Sequence, residues 1–414
     1  MSARKLLGNS FWNLSSYMVL MFAFLPSMGM MARILGLEPF GIYTLLFALI
    51  GYASMFDLGI SRALIRAIAM ADKQTQQIQS ILGTATLLIL FSSGVAAALV
   101  FLFSPLLVQW LNISPDLRAD SLFAFRLMAL SLPFLLLQAV WLSYLEGLSD
   151  FKQVNIQRTL SGLLLAILPL LAILYQASLS FAVLGLFVGR LITCVLAYFW
   201  ALPTSLRKGL WHWDRQQAHG LLRFGGWLTV SNVISPLMVY FDRFLLSNLN
   251  GATTVSFYTA PAEAITRLLN IPGAVVRVIF PLISAKKDAR QETRLTYLLL
   301  LGVCGLISLV GIVGAKWLIL LWLGEAYVEQ SVPLLQILLV GFFFNAIAQI
   351  PYTVIQAKGH AHITAYVHLA EILPYIALLY VLISHFGLLG AAIAWSSRVI
   401  VDCLALLILA KRYR

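Results

Sequence analysis

The sequence predicts an all-α integral membrane protein with about twelve transmembrane helices in two six-helix lobes around a central cavity. Three observations carry that reading. Hydrophobic residues make up 61% of the 414 positions and charged residues only 11%, against about 25% charged in a typical soluble domain, and mean hydropathy is +0.91. No water-soluble fold hides that much apolar surface behind so few charges. The apolar runs are 20 or more residues long, as helices crossing about 30 Å of hydrocarbon need, rather than the ten-residue alternating strands of a membrane barrel. Finally, the two halves of the chain resemble each other.

In chain order the spans fall at about 11–34, 41–65, 79–103, 121–145, 154–175, 181–201, 221–247, 253–282, 296–321, 331–356, 363–385 and 388–410. The first begins behind Arg4 and Lys5 and is too long for a signal-peptide core; no A-x-A cleavage site follows it. Pro26, Pro133, Pro169, Pro236, Pro261, Pro272, Pro351 and Pro374 lie inside spans, where each removes a backbone hydrogen bond and favours a kink. Gly185-x-x-x-Gly189 in the sixth span suits close helix packing.

Twelve spans place both termini on one side. Seventeen Lys and Arg residues occupy the loops on that side, including Arg62, Arg66, Arg207, Lys208, Arg215, Lys286 and Lys287, whereas the opposite set holds Arg33, Arg118 and Arg243 beside several acids. The positive-inside rule therefore predicts cytoplasmic termini. Orientation absorbs the surplus of 28 basic over 16 acidic residues, and no nucleic-acid partner is needed. Every loop is short, the longest being about 104–120 and 202–220, so a separate catalytic domain does not fit.

Matching the chain to itself at an offset of 215 residues aligns Trp12 with Trp227, Gly36 with Gly251, Tyr43 with Tyr258 and Arg62 with Arg277, among other pairs. An offset of six spans preserves orientation and predicts an N-terminal lobe over 1–201, a cytoplasmic linker over 202–220 and a C-terminal lobe over 221–414.

A charge in mid-span costs about 2.5–3.5 kcal/mol on insertion scales, so each needs a partner, a wet cavity or a role. Arg126, Arg190, Glu263, Arg267, Glu371, Arg398 and Asp402 lie inside spans, with Asp57, Arg158 and Arg277 nearer the cytoplasmic boundary. Glu263 and Arg267, and Arg398 and Asp402, are each four apart on one helix face, so each pair can neutralise itself or leave its charges to contact substrate. Arg126 and Arg190 have no acid three or four residues away. They need a partner from another helix or an anionic ligand, and a guanidinium fork suits phosphate.

Motifs for other chemistry are mostly absent. No phosphate-binding G-x-x-x-x-G-K-[ST] loop and no H-E-x-x-H occur. His360 and His362 read as a solvated turn rather than a metal site. Cys194, Cys304 and Cys403 are isolated in apolar runs and read as packing residues. No cofactor and no metal is expected. Asn13-Leu-Ser and Asn112-Ile-Ser match glycosylation sequons and decide nothing.

Three stretches are similar to the Wzx-type O-antigen and polysaccharide flippases, whose MATE-like superfamily also holds the multidrug antiporters and the lipid II flippases. They are Arg33-Ile-Leu-Gly-Leu-Glu-Pro-Phe-Gly-Ile-Tyr through Phe56-Asp57-Leu-Gly-Ile-Ser-Arg62, Tyr240-Phe-Asp242-Arg243-Phe-Leu-Leu, and Gln356-Ala-Lys-Gly-His through Glu371-Ile-Leu-Pro-Tyr to Trp395-Ser-Ser-Arg398. The resemblance covers nearly the whole chain. It implies alternating access, a location in the bacterial inner membrane, and outward movement of a polyprenyl-pyrophosphate-linked oligosaccharide. It also implies membrane lipid, a polysaccharide polymerase and chain-length proteins as partners. Under it, Arg126, Arg190, Arg267, Arg398 and Arg62 line a cationic cavity, Glu263, Glu371, Asp402 and Asp57 serve coupling or pairing, and Arg33, Asp242 and Arg243 belong to family motifs. Lipid II flippases carry an Arg-Asp pair where this chain has Ser27 and Met28, which favours an O-unit or exopolysaccharide substrate. The alternatives are a drug or metabolite cation antiporter of the same fold, which would favour acids in its cavity, and a polytopic glycosyltransferase, which the short loops disfavour.

Overall fold

The computed structural model describes residues 22–71, 75–285 and 290–412. Among these residues the regular structure is helical, with no strand. The helices are α1 (Phe22–Leu35), α2 (Leu37–Ala53), α3 (Ile60–Met70), α4 (Thr75–Trp110), α5 (Arg118–Gly147), α6 (Phe151–Tyr175), α7 (Leu179–Ala201), the single turn α8 (Thr204–Arg207) and α9 (Arg215–Asn250). They continue with α10 (Ala252–Leu268), α11 (Asn270–Ala285), α12 (Arg290–Trp322), α13 (Val328–Ala357) and α14 (Ala361–Arg412). Among the described residues, eight helical segments are long and apolar enough to cross a membrane. On α4 and α12 the outward rows include Leu102, Phe103, Leu306, Leu309, Val313 and Leu321, all more than half exposed. Exposed apolar rows of that length belong against lipid.

Among the described residues, which take in the first apolar run only from Phe22, the apolar runs are occupied by helix, but the second and eighth are each two helices. The second breaks at a 3-10 turn, Ser54–Asp57, with Leu58 and Gly59 both at positive φ; the eighth breaks at Leu269, between α10 and α11. The last two runs together make up α14, whose two halves are separated by a non-helical residue, Gly387 (φ 54°, ψ −126°). Several helices also outrun their apolar stretches. α4 continues to Trp110, which shortens the loop placed at 104–120 to a turn before Arg118. Hydrophobicity sets the minimum span, whereas capping groups set the ends. Asp150 caps α6 by accepting from the Gln153 N–H at 3.3 Å, and Ser178 caps α7 through Phe181 N–H at 3.3 Å.

The chain divides into two compact units, Met1–Phe244 and Leu245–Arg414. In the first, α5 packs along α4 and α7, and α6 along α7. The segment between α7 and α9 is bound to α4: Gln79 Nε2 donates to Ser205 O at 2.7 Å, Ser80 Oγ to Asp214 at 3.0 Å, and Asp214 N–H to Thr84 Oγ1 at 3.0 Å. Gly83 lets this strap approach, since a Cβ there would meet the His212 carbonyl at 2.7 Å. The stretch given as a linker is thus fastened at several points, because its backbone groups bond to α4 rather than to water. In the second unit α13 packs along α12 and α14. Ser308 Oγ donates to Leu339 O at 3.1 Å and Ser396 Oγ to Ile337 O at 3.0 Å.

The two units repeat one another in detail. Gly36 (φ 79°) and Gly251 (φ 87°) stand at equivalent helix junctions 215 residues apart. The breaks at Ser54 and Leu269 have the same spacing. Further along the spacing becomes 210: the 3-10 turns Pro115–Leu117 and Glu325–Tyr327, the 30-residue helices α5 and α13, and the positive-φ residues Ser149 and Gly359 all correspond at that interval.

Candidate functional site

In the N-terminal unit the polar interior is built on α2, α5, α6 and α7. Arg190 on α7 is buried, with 9% of its surface exposed, and its Nε has no hydrogen-bond partner. No carboxylate pairs with it among the described residues; Tyr43 of α2, itself buried, is the group it meets electrostatically. Arg126 on α5 is half-buried, lies over the Phe101 ring at 5.0 Å, and likewise has an unbonded Nε. Both cations are therefore held by apolar and aromatic groups that leave guanidinium N–H donors unused. One helical turn beyond Arg190, Thr193 Oγ1 donates to Gln138 Oε1 at 3.0 Å; Gln138 Nε2 donates to Ser161 Oγ at 3.0 Å, and Gln157 Nε2 to Thr193 O at 3.2 Å. This network ties α5, α6 and α7 together beneath the cation, and its members bond each other.

In the C-terminal unit the corresponding place is charged. Arg398 faces Glu371 at 3.7 Å and lies over the Tyr375 ring at 5.3 Å. His368 Nε2 is 3.9 Å from Asp402 and stacks on Tyr352 at 5.7 Å. Asp402 is also close enough to interact electrostatically with Glu371. Neither Glu371 oxygen nor Arg398 Nε makes a hydrogen bond, so the groups stand at ion-pair rather than hydrogen-bond distance. Glu371 corresponds to Ser161 at the 210-residue interval, so one position of the repeat carries a neutral network in one unit and an ionic one in the other.

The remaining residues singled out by sequence are distributed elsewhere. Arg267 and Glu263 pair at 3.6 Å on the last turns of α10, just before the break. Arg398 and Asp402, four apart, do not pair with each other: Arg398 turns to Glu371 and Asp402 to His368, because the other half of α14 offers closer partners. Asp57 is buried and accepts from the Ser61 hydroxyl and, at 3.4 Å, its N–H, which caps the start of α3. Arg62 is exposed on the first turn of α3, and Arg33 is exposed near the end of α1. Arg243 does not lie in a loop as its charge suggested: α9 continues to Asn250 and buries Asp242 and Arg243 to 3% and 2% exposure. Arg243 Nη1 donates to Val239 O at 2.9 Å, and its guanidinium lies over Tyr240 at 5.2 Å. Arg277 and Pro236 have side chains outside the described residues, as do Trp12 and Lys286 entirely. Arg158 pairs with Glu146.

Sequence reasoning missed Tyr43, Gln138, Gln157, Thr193, His368 and Tyr375. Gln138 and Gln157 carried a usable signal, since an amide in mid-span is costly to bury unless bonded. Among the described residues no three His, Cys, Asp or Glu side chains gather into a metal-binding group, and the three cysteines are free and buried.

Residues 6–287 match the family model described as "Polysaccharide biosynthesis protein", and residues 283–381 match the MatE model. The chain is 41% identical, over 97% of its length and 96% of the other's, to a Shigella flexneri protein named "Putative O-antigen transporter". A solved inward-facing multidrug resistance MATE transporter superposes with TM-score 0.77 at 14% identity, covering 96% of this chain and 94% of that one. The lipid II flippase MurJ, in an inward closed conformation, superposes with TM-score 0.77 at 15% identity, covering 98% and 87%. At those identities the two structures speak to fold alone, and they establish the MATE-like architecture of a multi-pass membrane protein.

Proposed function

Since the chain belongs to the polysaccharide biosynthesis protein family, we propose that it carries a lipid-linked oligosaccharide across the bacterial inner membrane, from the cytoplasmic to the periplasmic leaflet, with both termini cytoplasmic. The observation that carries this reading is Arg190: a buried guanidinium with no carboxylate partner among the described residues and an unbonded Nε. Retaining an unpaired cation in an apolar unit costs stability, and an anion that visits the site repays it. The diphosphate of a polyprenyl-linked O-unit or exopolysaccharide unit has that chemistry, and the fork of donors on Arg190 and Arg126 can take two oxygens at once.

In this proposal the lobes divide at 202–220 and alternate in access. Arg126, Arg190, Arg267, Arg398 and Arg62 attract the substrate, and Glu371 and Asp402 exchange a proton or cation during the cycle. An inside-negative potential assists export of an anion by about 2.3 kcal/mol per charge per 100 mV. Unpaired buried arginines disfavour the cation-antiporter reading, whose cavity would need net negative charge. The test is complementation of a strain lacking its O-unit flippase and supplied with the native cluster's sugar unit. Wild type restores surface polysaccharide and Arg190→Ala at matched membrane level does not; restoration by both removes Arg190 from the substrate path.

A further inference from the structure

The cytoplasmic end of the first unit, as oriented above, holds a cavity of about 280 Å³ between α3, α4 and α9, lined among others by Arg66, Met70, Gln77, Gln217, Gly220 and Phe224. The Arg66 guanidinium carbon lies over the Phe224 ring, 4.7 Å from its centre, and no carboxylate pairs with it among the described residues. A cation over an aromatic face is held by the ring's quadrupole, which takes up none of its N–H donors and leaves them for an anion. Gln77 and Gln217 add amide donors to the same walls. Gly220 keeps one wall open: a Cβ there would meet nothing within 4 Å.

The mouth of this cavity is marked as lying at headgroup depth by two independent features. Trp211 and Trp213, on the strap bound to α4, are 72% and 52% exposed, as indoles are where they anchor at a membrane interface. α3 is strongly amphipathic, with Arg62, Arg66 and Met70 exposed at successive four-residue steps. A cationic pocket between helices at that depth fits a phosphate-bearing headgroup.

We propose that this pocket is a binding site for the phosphate of an anionic phospholipid of the cytoplasmic leaflet, separate from Arg190 and resting only on the orientation given above. The Arg66 N–H donors take the phosphate oxygens, the two glutamines take the remaining acceptors, and Met70 and Phe224 receive the first acyl carbons.

The test uses the full-length protein in nanodiscs of phosphatidylcholine containing one-fifth phosphatidylglycerol, with co-purified lipid counted by native mass spectrometry. Wild type retains phosphatidylglycerol; Arg66→Gln and the pocket-filling Gly220→Leu each lower retention at least fivefold, while Arg223→Gln, exposed on α9 outside the pocket, leaves it unchanged. Equal loss in all three variants, or in none, overturns the site. Displacement of phosphatidylglycerol by equimolar polyprenyl diphosphate overturns the phospholipid assignment in favour of the transported lipid. Complementation is scored separately, so failure of this site and failure of the transport reading are distinguishable.

Discussion

Glu371 and Arg398 face each other at 3.7 Å from the two halves of α14, across the break at Gly387. Neither residue is near the other in sequence, and the positive φ of Gly387 is what folds the second half back alongside the first. A Cβ on Gly390 would strike the Leu382 carbonyl carbon and, at 2.7 Å, the Ile383 nitrogen, so this turn depends on two glycines. The pair belongs to a cluster with His368 and Asp402 in which two carboxylates outnumber one permanent cation.

Removing one member strands the other. Glu371→Gln leaves Arg398 without its partner, and the usual cost of stranding a buried ion is about 3–5 kcal/mol; the side chains here are 13% and 17% exposed, so the low end applies. The expected result is a clear fall in Tm of the detergent-purified protein for either single variant and a smaller fall for Glu371→Gln combined with Arg398→Met. Additive falls would show that the two residues do not stabilise each other.

Arg190 is predicted to behave in the opposite way. With no carboxylate partner among the described residues, its charge is a cost to folding, so Arg190→Met should leave stability unchanged or raise it by about 1 kcal/mol, read as an unchanged or higher Tm, while surface polysaccharide is lost. A variant both unstable and inactive would place Arg190 among the structural residues.

Gly59 holds φ 69° directly against Gly225, whose Cα would lie 2.8 Å from a Cβ on Gly59. Gly59→Ala adds the backbone penalty of about 1–2 kcal/mol for an L-residue in the left-handed region and forces α3 from α9. Reduced membrane abundance and lower Tm are expected; the control Gly220→Ala, inside α9 with its added Cβ in open space, should lower neither measure, since alanine favours helix over glycine.

Asp214 gives a pH-dependent contact outside the spans. The Gln217 N–H, the Ser80 hydroxyl and the Gln216 N–H hold its carboxyl below the usual carboxylate range. A depressed folded-state value contributes stability above the unfolded value, near 4, and that contribution is lost as pH falls through the folded one. The Tm difference between wild type and Asp214→Asn should therefore be present at pH 7 and shrink below pH 4. A difference independent of pH would assign the effect to the hydrogen-bond geometry rather than the charge.

The positions of the membrane segments were legible because length and hydropathy report directly on transfer into lipid. So was the first frame of the repeat, through Gly36 and Gly251, where a positive φ favours glycine at both junctions. The second frame was not legible. Its matches, such as Ser149 with Gly359 and Pro115–Leu117 with Glu325–Tyr327, share backbone conformation and not residue type. The charges were legible as candidates, and the four-residue spacing gave the Glu263–Arg267 pair, but not the partners of Arg398 and Asp402: spacing offered these two to each other, and packing across the break in α14 supplied Glu371 and His368 instead.

The amino-acid sequence by itself determined that this protein is helical, crosses the membrane many times, is doubled, and buries more cations than it can neutralise locally. Those properties follow from composition and periodicity, which act residue by residue. Only the tertiary structure decided that the second and eighth spans are broken, that Arg243 is buried within α9, and that Arg190 sits above a neutral amide network while Arg398 meets a carboxylate. The physical reason is that an ion's environment in a membrane protein is set by which helices pack against it, and those neighbours are distant in sequence.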